Sequence, residues 1–134
     1  KIIDMNSEIS HPFSIPVRIY IEDTDAGGIV FYANYLKYME RARTEYIRSL
    51  GVELRAGMQD NISYVVHSLE VKYLKPARLD DLISVTALVI KLGKTCLVFK
   101  QQVVDENGNV LVSAQVKVAC VSLDSGKPRV LSET

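Results

Sequence analysis

The stretch that decides the reading of this chain is Tyr20-Ile21-Glu22-Asp23-Thr24-Asp25-Ala26-Gly27-Gly28-Ile29-Val30-Phe31-Tyr32-Ala33-Asn34-Tyr35. It joins a short apolar strand pattern to the one long helical pattern in the protein. A carboxylate, Asp25, stands beside a Gly pair just ahead of the helix start. The first turn of a helix carries backbone N–H groups without intrahelical partners and the positive end of the helix dipole. A base and an oxyanion donor set within a few residues of each other are what a small acyl-transfer site requires.

Upstream, Phe13 to Ile21 alternates around Ile15, Val17, Ile19 and Ile21, which predicts a strand with one buried face. Pro16 within it points to an edge position or a late strand start. Downstream, Asn34 to Leu50 changes period. Leu36, Met39, Arg43, Tyr46, Ile47 and Leu50 recur at helical spacing, and Ala42 allows close packing. Asn34 is placed as the N-cap and Gly51 as the C-terminal cap. Glu40, Arg41, Glu45 and Arg48 fall on the polar side, where i,i+3 and i,i+4 ion pairs are expected.

Beyond Gly57 the pattern is almost wholly β. Strands are expected over Ile62–Leu74, Leu82–Leu92, Thr95–Asp105 and Val110–Leu123. Pro76 ends the first of these, and Arg78-Leu79-Asp80-Asp81 forms the next turn. Asn107-Gly108 is a strong tight-turn signal. In the last strand Val110, Val112, Ala114, Val116, Val118 and Cys120 share one face, with Gln115 and Lys117 on the other. Short connections require antiparallel pairing. One helix covers one face of such a sheet, so an edge and a face are left for a partner, and an α+β layer that oligomerises is expected.

The bulk composition agrees with a single domain. The chain has 134 residues, 48% of them hydrophobic, enough for one packed core. Residues 1–12 read as a polar arm and 13–134 as the domain. Lys plus Arg equals Asp plus Glu at 16 each, which argues against nucleic-acid binding through a basic face. No apolar run is long enough to span a bilayer, and the N-terminal residues carry no signal-peptide core, so a cytoplasmic location is expected. Cys96 and Cys120 lie in strand patterns without a second ligand at metal spacing, and read as buried free thiols.

A calcium loop opening at Asp23-x-Asp25 fails, because its fifth position is Gly27 and its twelfth is Asn34 where a Glu is required. Neither a metal nor a cofactor is expected. Asp25 is then either a turn carboxylate or the base of the site. Gly27 and Gly28 either form the turn or let a ligand approach the backbone. Phe31, Tyr32, Tyr35 and Tyr64 serve as core or line a ligand pocket. His67 sits alone in a strand, and His11 lies in the arm.

The segment Glu22 to Tyr35, followed by Glu40-Arg41-Ala42-Arg43-Thr44-Glu45, resembles the hotdog-fold acyl-CoA thioesterases, in particular the Tol-Pal-associated subgroup of the 4-hydroxybenzoyl-CoA thioesterase family. Val71-Lys72-Tyr73-Leu74-Lys75-Pro76-Ala77-Arg78-Leu79-Asp80-Asp81 and Lys127-Pro128-Arg129 also look like that subgroup. The resemblance implies a five-stranded antiparallel sheet wrapped around one long central helix, assembled as a homodimer or homotetramer with sites at the dimer interface. It implies Asp25 as the catalytic carboxylate, acting as nucleophile or as general base on water, and the backbone N–H of Tyr32 as oxyanion donor. Gly27, Gly28, Phe31, Tyr64 and Arg78 are the substrate-binding candidates. Coenzyme A carries phosphates, so Lys72, Lys75, Arg78, Lys94, Lys127 and Arg129 are candidate contacts. The rival readings are a thioesterase acting on acyl carrier protein and a non-catalytic acyl-CoA binding or scaffold module. A pure binder has no need of Asp25 beside a thioester. The helix lacks the His on which hotdog dehydratases rely.

Overall fold

A computed structural model describes residues 12–51, 62–122 and 124–130. The arm expected over residues 1–12 therefore lies, Pro12 apart, outside the described residues. The order is β1 (Phe13–Arg18), α1 (Asn34–Ser49), β2 (Ile62–Tyr73), β3 (Leu82–Leu92), β4 (Cys96–Val104) and β5 (Val110–Ser122). All pairings are antiparallel, in the sheet order β1-β3-β4-β5-β2. One helix packed on a five-stranded antiparallel sheet is the hotdog fold that the resemblance implies. Among the described residues no helix is long and apolar enough to cross a membrane.

The helix buries Tyr35, Tyr38, Met39, Ala42 and Tyr46 against Val85, Ala87, Val89, Phe99 and Val103 of the sheet. Tyr46 sets its ring edge-on to Phe99 at 5.9 Å and to Phe13 at 5.7 Å. A fully buried side chain of the Phe99 class stabilises by about 1.5–3 kcal/mol. Arg43, read on the apolar face, is indeed buried and donates to Gln101 Oε1 at 3.0 Å. Gln101 Nε2 in turn donates to the carbonyls of Met39 and Thr86, which ties the helix to the middle of the sheet. Loss of hydration lowers the pKa of the Arg43 guanidinium, and the Glu40 carboxylate opposes that shift. On the polar side Arg48 pairs with Glu45.

Two local expectations are corrected. The strand expected to run to Ile21 stops at Arg18, and Ile21–Asp23 form a 3-10 turn with Ile21 76% exposed. The Tyr20 N–H donates to Asp23 Oδ2 at 2.8 Å, and Thr24 Oγ1 donates to the Ile21 carbonyl at 2.8 Å. Such side chain–backbone bonds compete with the ladder and win here. Asn34 is not the N-cap. Ala33 holds that place without a side-chain bond, while Asn34 Nδ2 donates to the Asp23 carbonyl at 2.9 Å. At the other end Gly51 has φ +87° and donates to the Arg48 carbonyl, as a helix-terminating glycine should.

The two outer strands differ. β1 carries Pro16 opposite Ser84 of β3, and a residue without an N–H suits an edge. β2 is exposed along most of its length, with Val65, Val66 and Leu69 open to solvent. Its register against β5 shifts between Val66 and Ser68, so His67 sits at a bulge. The β4–β5 hairpin has Gly108 at φ +86°, and Asp105 Oδ1 accepts from the N–H groups of Asn107 and Asn109. Those bonds, led by Asn109, hold the Asp105 carboxyl below its ordinary range.

Candidate active site

Between β1 and α1 the chain folds back on itself. Thr24 and Val30 form an antiparallel bridge. Asp25 N–H donates to the Ile29 carbonyl at 3.1 Å, and Gly28 N–H donates to the Asp25 carbonyl at 3.0 Å. Gly28 takes φ +73°, a left-handed conformation that other L residues adopt at a cost of about 1–2 kcal/mol. A Cβ placed there would meet nothing within 4 Å, so Gly28 borders open space. At Gly27 a Cβ would make only ordinary contacts, at 3.9 Å from Asp25 Oδ1 and from Ile29. The tight turn therefore needs glycine at Gly28 rather than at Gly27.

Asp25 is exposed. Its Oδ1 accepts from the Gly27 N–H at 3.2 Å, the turn role open to any Asp. Its Oδ2 accepts no hydrogen bond among the described residues. The carboxylate is thus oriented through one oxygen and free at the other.

The other arm of the fold-back runs into the helix. Phe31 N–H donates to the Asp23 carbonyl at 3.0 Å, and that oxygen also receives Asn34 Nδ2. Asn34 N–H closes a turn onto the Phe31 carbonyl at 2.9 Å, with Tyr32 at its second position. The N–H groups of Tyr32 and Ala33 donate to nothing among the described residues. An uncommitted N–H at the positive end of a sixteen-residue helix is a ready donor to an oxyanion.

A second strap crosses from the β2–β3 connection. Ile29 bridges to Arg78, Val30 N–H donates to the Ala77 carbonyl at 2.9 Å, and Leu79 N–H donates to the Gly28 carbonyl at 3.0 Å. The turn behind it is tight. Asp80 has φ +74°, its N–H donates to the Ile19 carbonyl, and Arg18 donates to its carbonyl. Ala77 is fully buried, and its N–H donates to the Tyr35 hydroxyl at 2.9 Å.

The structure thus gathers most of the expected site residues and leaves one aside. Asp25, Gly27, Gly28, Phe31, Tyr32 and Arg78 meet in the fold-back and its strap. Phe31 and Tyr32 are exposed aromatics with ring centroids 4.9 Å apart, and Tyr32 stands edge-on to Tyr73 at 6.0 Å. The Arg78 side chain is exposed, and its guanidinium makes no hydrogen bond among the described residues. Tyr64 is elsewhere. It lines a groove of about 390 Å³ between the later turns of α1 and strands β2, β4 and β5, with Glu40, Arg43 and Thr44. Within one chain none of the fold-back residues lines that groove. His67 is exposed at its bulge, with Nδ1 3.3 Å from Ser68 Oγ. Sequence reasoning passed over the Asp23 carbonyl, Ala77 and Tyr73. The first two act through backbone atoms, which residue type does not reveal.

Residues 27–112 match the family described as the thioesterase superfamily. The chain is 41% identical over 122 residues to the acyl-CoA thioester hydrolase YbgC of Escherichia coli, a match covering 91% of each chain. It is 42% identical to the acyl-CoA thioesterase YbgC of Haemophilus influenzae, over 90% of this chain and 88% of that one. Among solved structures, a probable thioesterase from Bartonella henselae superposes with TM-score 0.82 at 30% identity, covering 89% of this chain and 98% of that one. The DHNA-CoA thioesterase of Staphylococcus aureus gives 0.84 at 25% identity, covering 88% and 79%. Sequence match and fold agree, and the chain belongs to the thioesterase superfamily as a thioester hydrolase.

Proposed function

We propose that the protein hydrolyses acyl-CoA thioesters to free acid and CoA, with Asp25 as nucleophile or general base and the N–H of Tyr32 as oxyanion donor. The observation that carries this reading is the pairing on one short fold-back of a carboxylate oxygen and a helix-start N–H, both uncommitted. In the nucleophilic route Asp25 Oδ2 attacks the thioester carbon and the C–S bond breaks. CoA leaves as thiolate, and water then hydrolyses the mixed anhydride. In the general-base route Asp25 takes a proton from water as that water attacks. Either way the carbonyl oxygen becomes negative, and the Tyr32 N–H, which donates to nothing among the described residues, is the donor that meets it. A thiolate is a good leaving group, which lessens the need for a strong general acid. Gly28 leaves room for the thioester, Phe31 flanks the acyl group, and the exposed Arg78 is placed to meet a CoA phosphate.

A panel of acyl-CoA and acyl carrier protein substrates, read by release of free thiol, tests the activity. Hydrolysis of acyl-CoA is the expected result. Release from acyl carrier protein alone would move the assignment to that carrier, and no release from either would leave only a binding module. Two single variants probe the site. Tyr32→Phe keeps the backbone donor and the ring, and should retain most activity. Gly28→Val puts a β-branched side chain at positive φ and into the open space that Gly28 borders, and should lose at least about tenfold in kcat/KM. Loss of turnover in a folded Tyr32→Phe protein would make the hydroxyl a catalytic group and overturn the backbone account.

The assembly follows from the exposed edge. We infer that β2 pairs with the same strand of a second copy, covering Val65, Val66 and Leu69 and joining two sheets. This brings the Tyr64 groove of one copy toward the interface where the family's sites lie. Light scattering is expected to give a dimer or tetramer. A stable monomer at micromolar concentration would refute this.

A further inference from the structure

We infer that Tyr35 is a positioning residue for the oxyanion turn, acting through the buried backbone of Ala77. This rests on the assignment of the Tyr32 N–H as oxyanion donor. The links form one continuous line. The Tyr35 hydroxyl, on the first turn of α1, accepts the Ala77 N–H at 2.9 Å. The Ala77 carbonyl accepts the Val30 N–H at 2.9 Å, and Val30 leads through Phe31 into Tyr32. Ala77 is fully buried and Tyr35 is 3% exposed, so water cannot replace either partner.

The direction of control follows from what else holds each segment. The fold-back has two straps. One is the Asp23 carbonyl, which receives Phe31 N–H and Asn34 Nδ2. The other is the Ala77–Leu79 segment, which holds Gly28 and Val30. Among the described residues, Tyr35 provides the side-chain bond that fixes this second strap to the helix. The helix end whose dipole favours the oxyanion and the peptide that presents the N–H are therefore set against each other by two ties, the Asp23 carbonyl on one strap and the Tyr35 phenol on the other. Burial raises the pKa of that phenol, so it stays neutral across the working pH range. Its ring is held independently, with centroids 6.0 Å from Tyr38 and 5.8 Å from Tyr73. Removing the oxygen alone should therefore leave the fold in place and free the strap.

The test is a double-mutant cycle on the full chain with an acyl-CoA substrate. Tyr35→Phe should fold and assemble as the parent does, lose about tenfold or more in kcat, and keep KM within about twofold. An oxyanion donor acts in the transition state and not in ground-state binding, hence that split. Tyr32→Pro removes the donor itself. In that background Tyr35→Phe should cost less than about twofold more, because nothing remains to be positioned. An unchanged kcat in folded Tyr35→Phe overturns the role of Tyr35 while leaving the oxyanion assignment intact. So does a full tenfold loss repeated on top of Tyr32→Pro. A fully active Tyr32→Pro protein removes the oxyanion assignment and the positioning role together.

Discussion

The Tyr32→Pro protein is expected to fold, to assemble and to bind substrate, and to turn it over about a hundred to a thousand times more slowly. The substitution deletes one backbone N–H together with the Tyr32 side chain. Tyr32 occupies the second position of the turn closed by Asn34 N–H on the Phe31 carbonyl, a position that proline favours. Its N–H takes part in no hydrogen bond among the described residues, so no internal bond is lost. The ring of Tyr32, exposed and edge-on to Tyr73, is removed as well, and Tyr32→Ala isolates that contribution. Steady-state kinetics on all three proteins should show Tyr32→Phe near the parent and Tyr32→Ala mildly impaired. Tyr32→Pro should fall far below both, with KM little changed. Equal kcat for the alanine and proline proteins would mean that the ring, and not the N–H, carries the effect.

Asp25→Asn should cost at least about a hundredfold in kcat, the lower end of what a positioned acid–base group contributes. The amide keeps an oxygen for the Gly27 N–H, so the turn closes as before. It cannot attack the thioester or take a proton at the second oxygen. Asp23→Asn is the control. The Asp23 carbonyl, which holds Phe31 and Asn34, belongs to the backbone and survives the change. The side chain accepts the Tyr20 N–H, and an amide oxygen can replace it there. Burial and then the Asp23 carboxylate push the Tyr38 phenol above its ordinary range, and the control relieves the second of these. Thiol release by purified Asp25→Asn at the parent's rate would end the central role assigned to that carboxylate.

Both predictions rest on residues that a reader could find without coordinates, and the reason is local. Asp25, Gly28 and Tyr32 sit on one short segment whose residue types mark its turn, although the Ala77–Leu79 strap also holds it. The strands were legible for a related reason. β3 spans Leu82–Leu92 as read, because Asp80-Asp81 before it and Gly93 after it punctuate the chain on both sides. β1 was read too long because the alternation of Ile15, Val17, Ile19 and Ile21 continues past the point where Asp23 captures the Tyr20 N–H. Asn34 misled as a cap because its side chain serves Asp23, eleven residues back, rather than its own helix. Ala77 was invisible for a different reason. Its contribution is a carbonyl and an N–H, brought to Val30 and Tyr35 across more than forty residues of chain, and an alanine carries no chemical sign of that. Gln101 could have been found. It falls in the inward alternation of Leu97, Phe99 and Val103, where a polar side chain needs a buried partner, and Arg43 was already placed on the facing helix.

Pro16 on β1 sets the valence of the whole sheet. The outer flank of a strand invites further strands when it offers a full row of donors and acceptors, and a proline breaks the row of donors. Among the described residues the sheet thus has one receptive margin, at β2, and one blunted margin, at β1. Two copies that join through β2 use up the receptive margin of each. If two copies join in the way proposed, the joined sheet ends at both sides in a Pro16-bearing strand, and edge-to-edge growth would terminate at two chains instead of propagating into a filament. Any larger assembly must use the faces of the joined sheet.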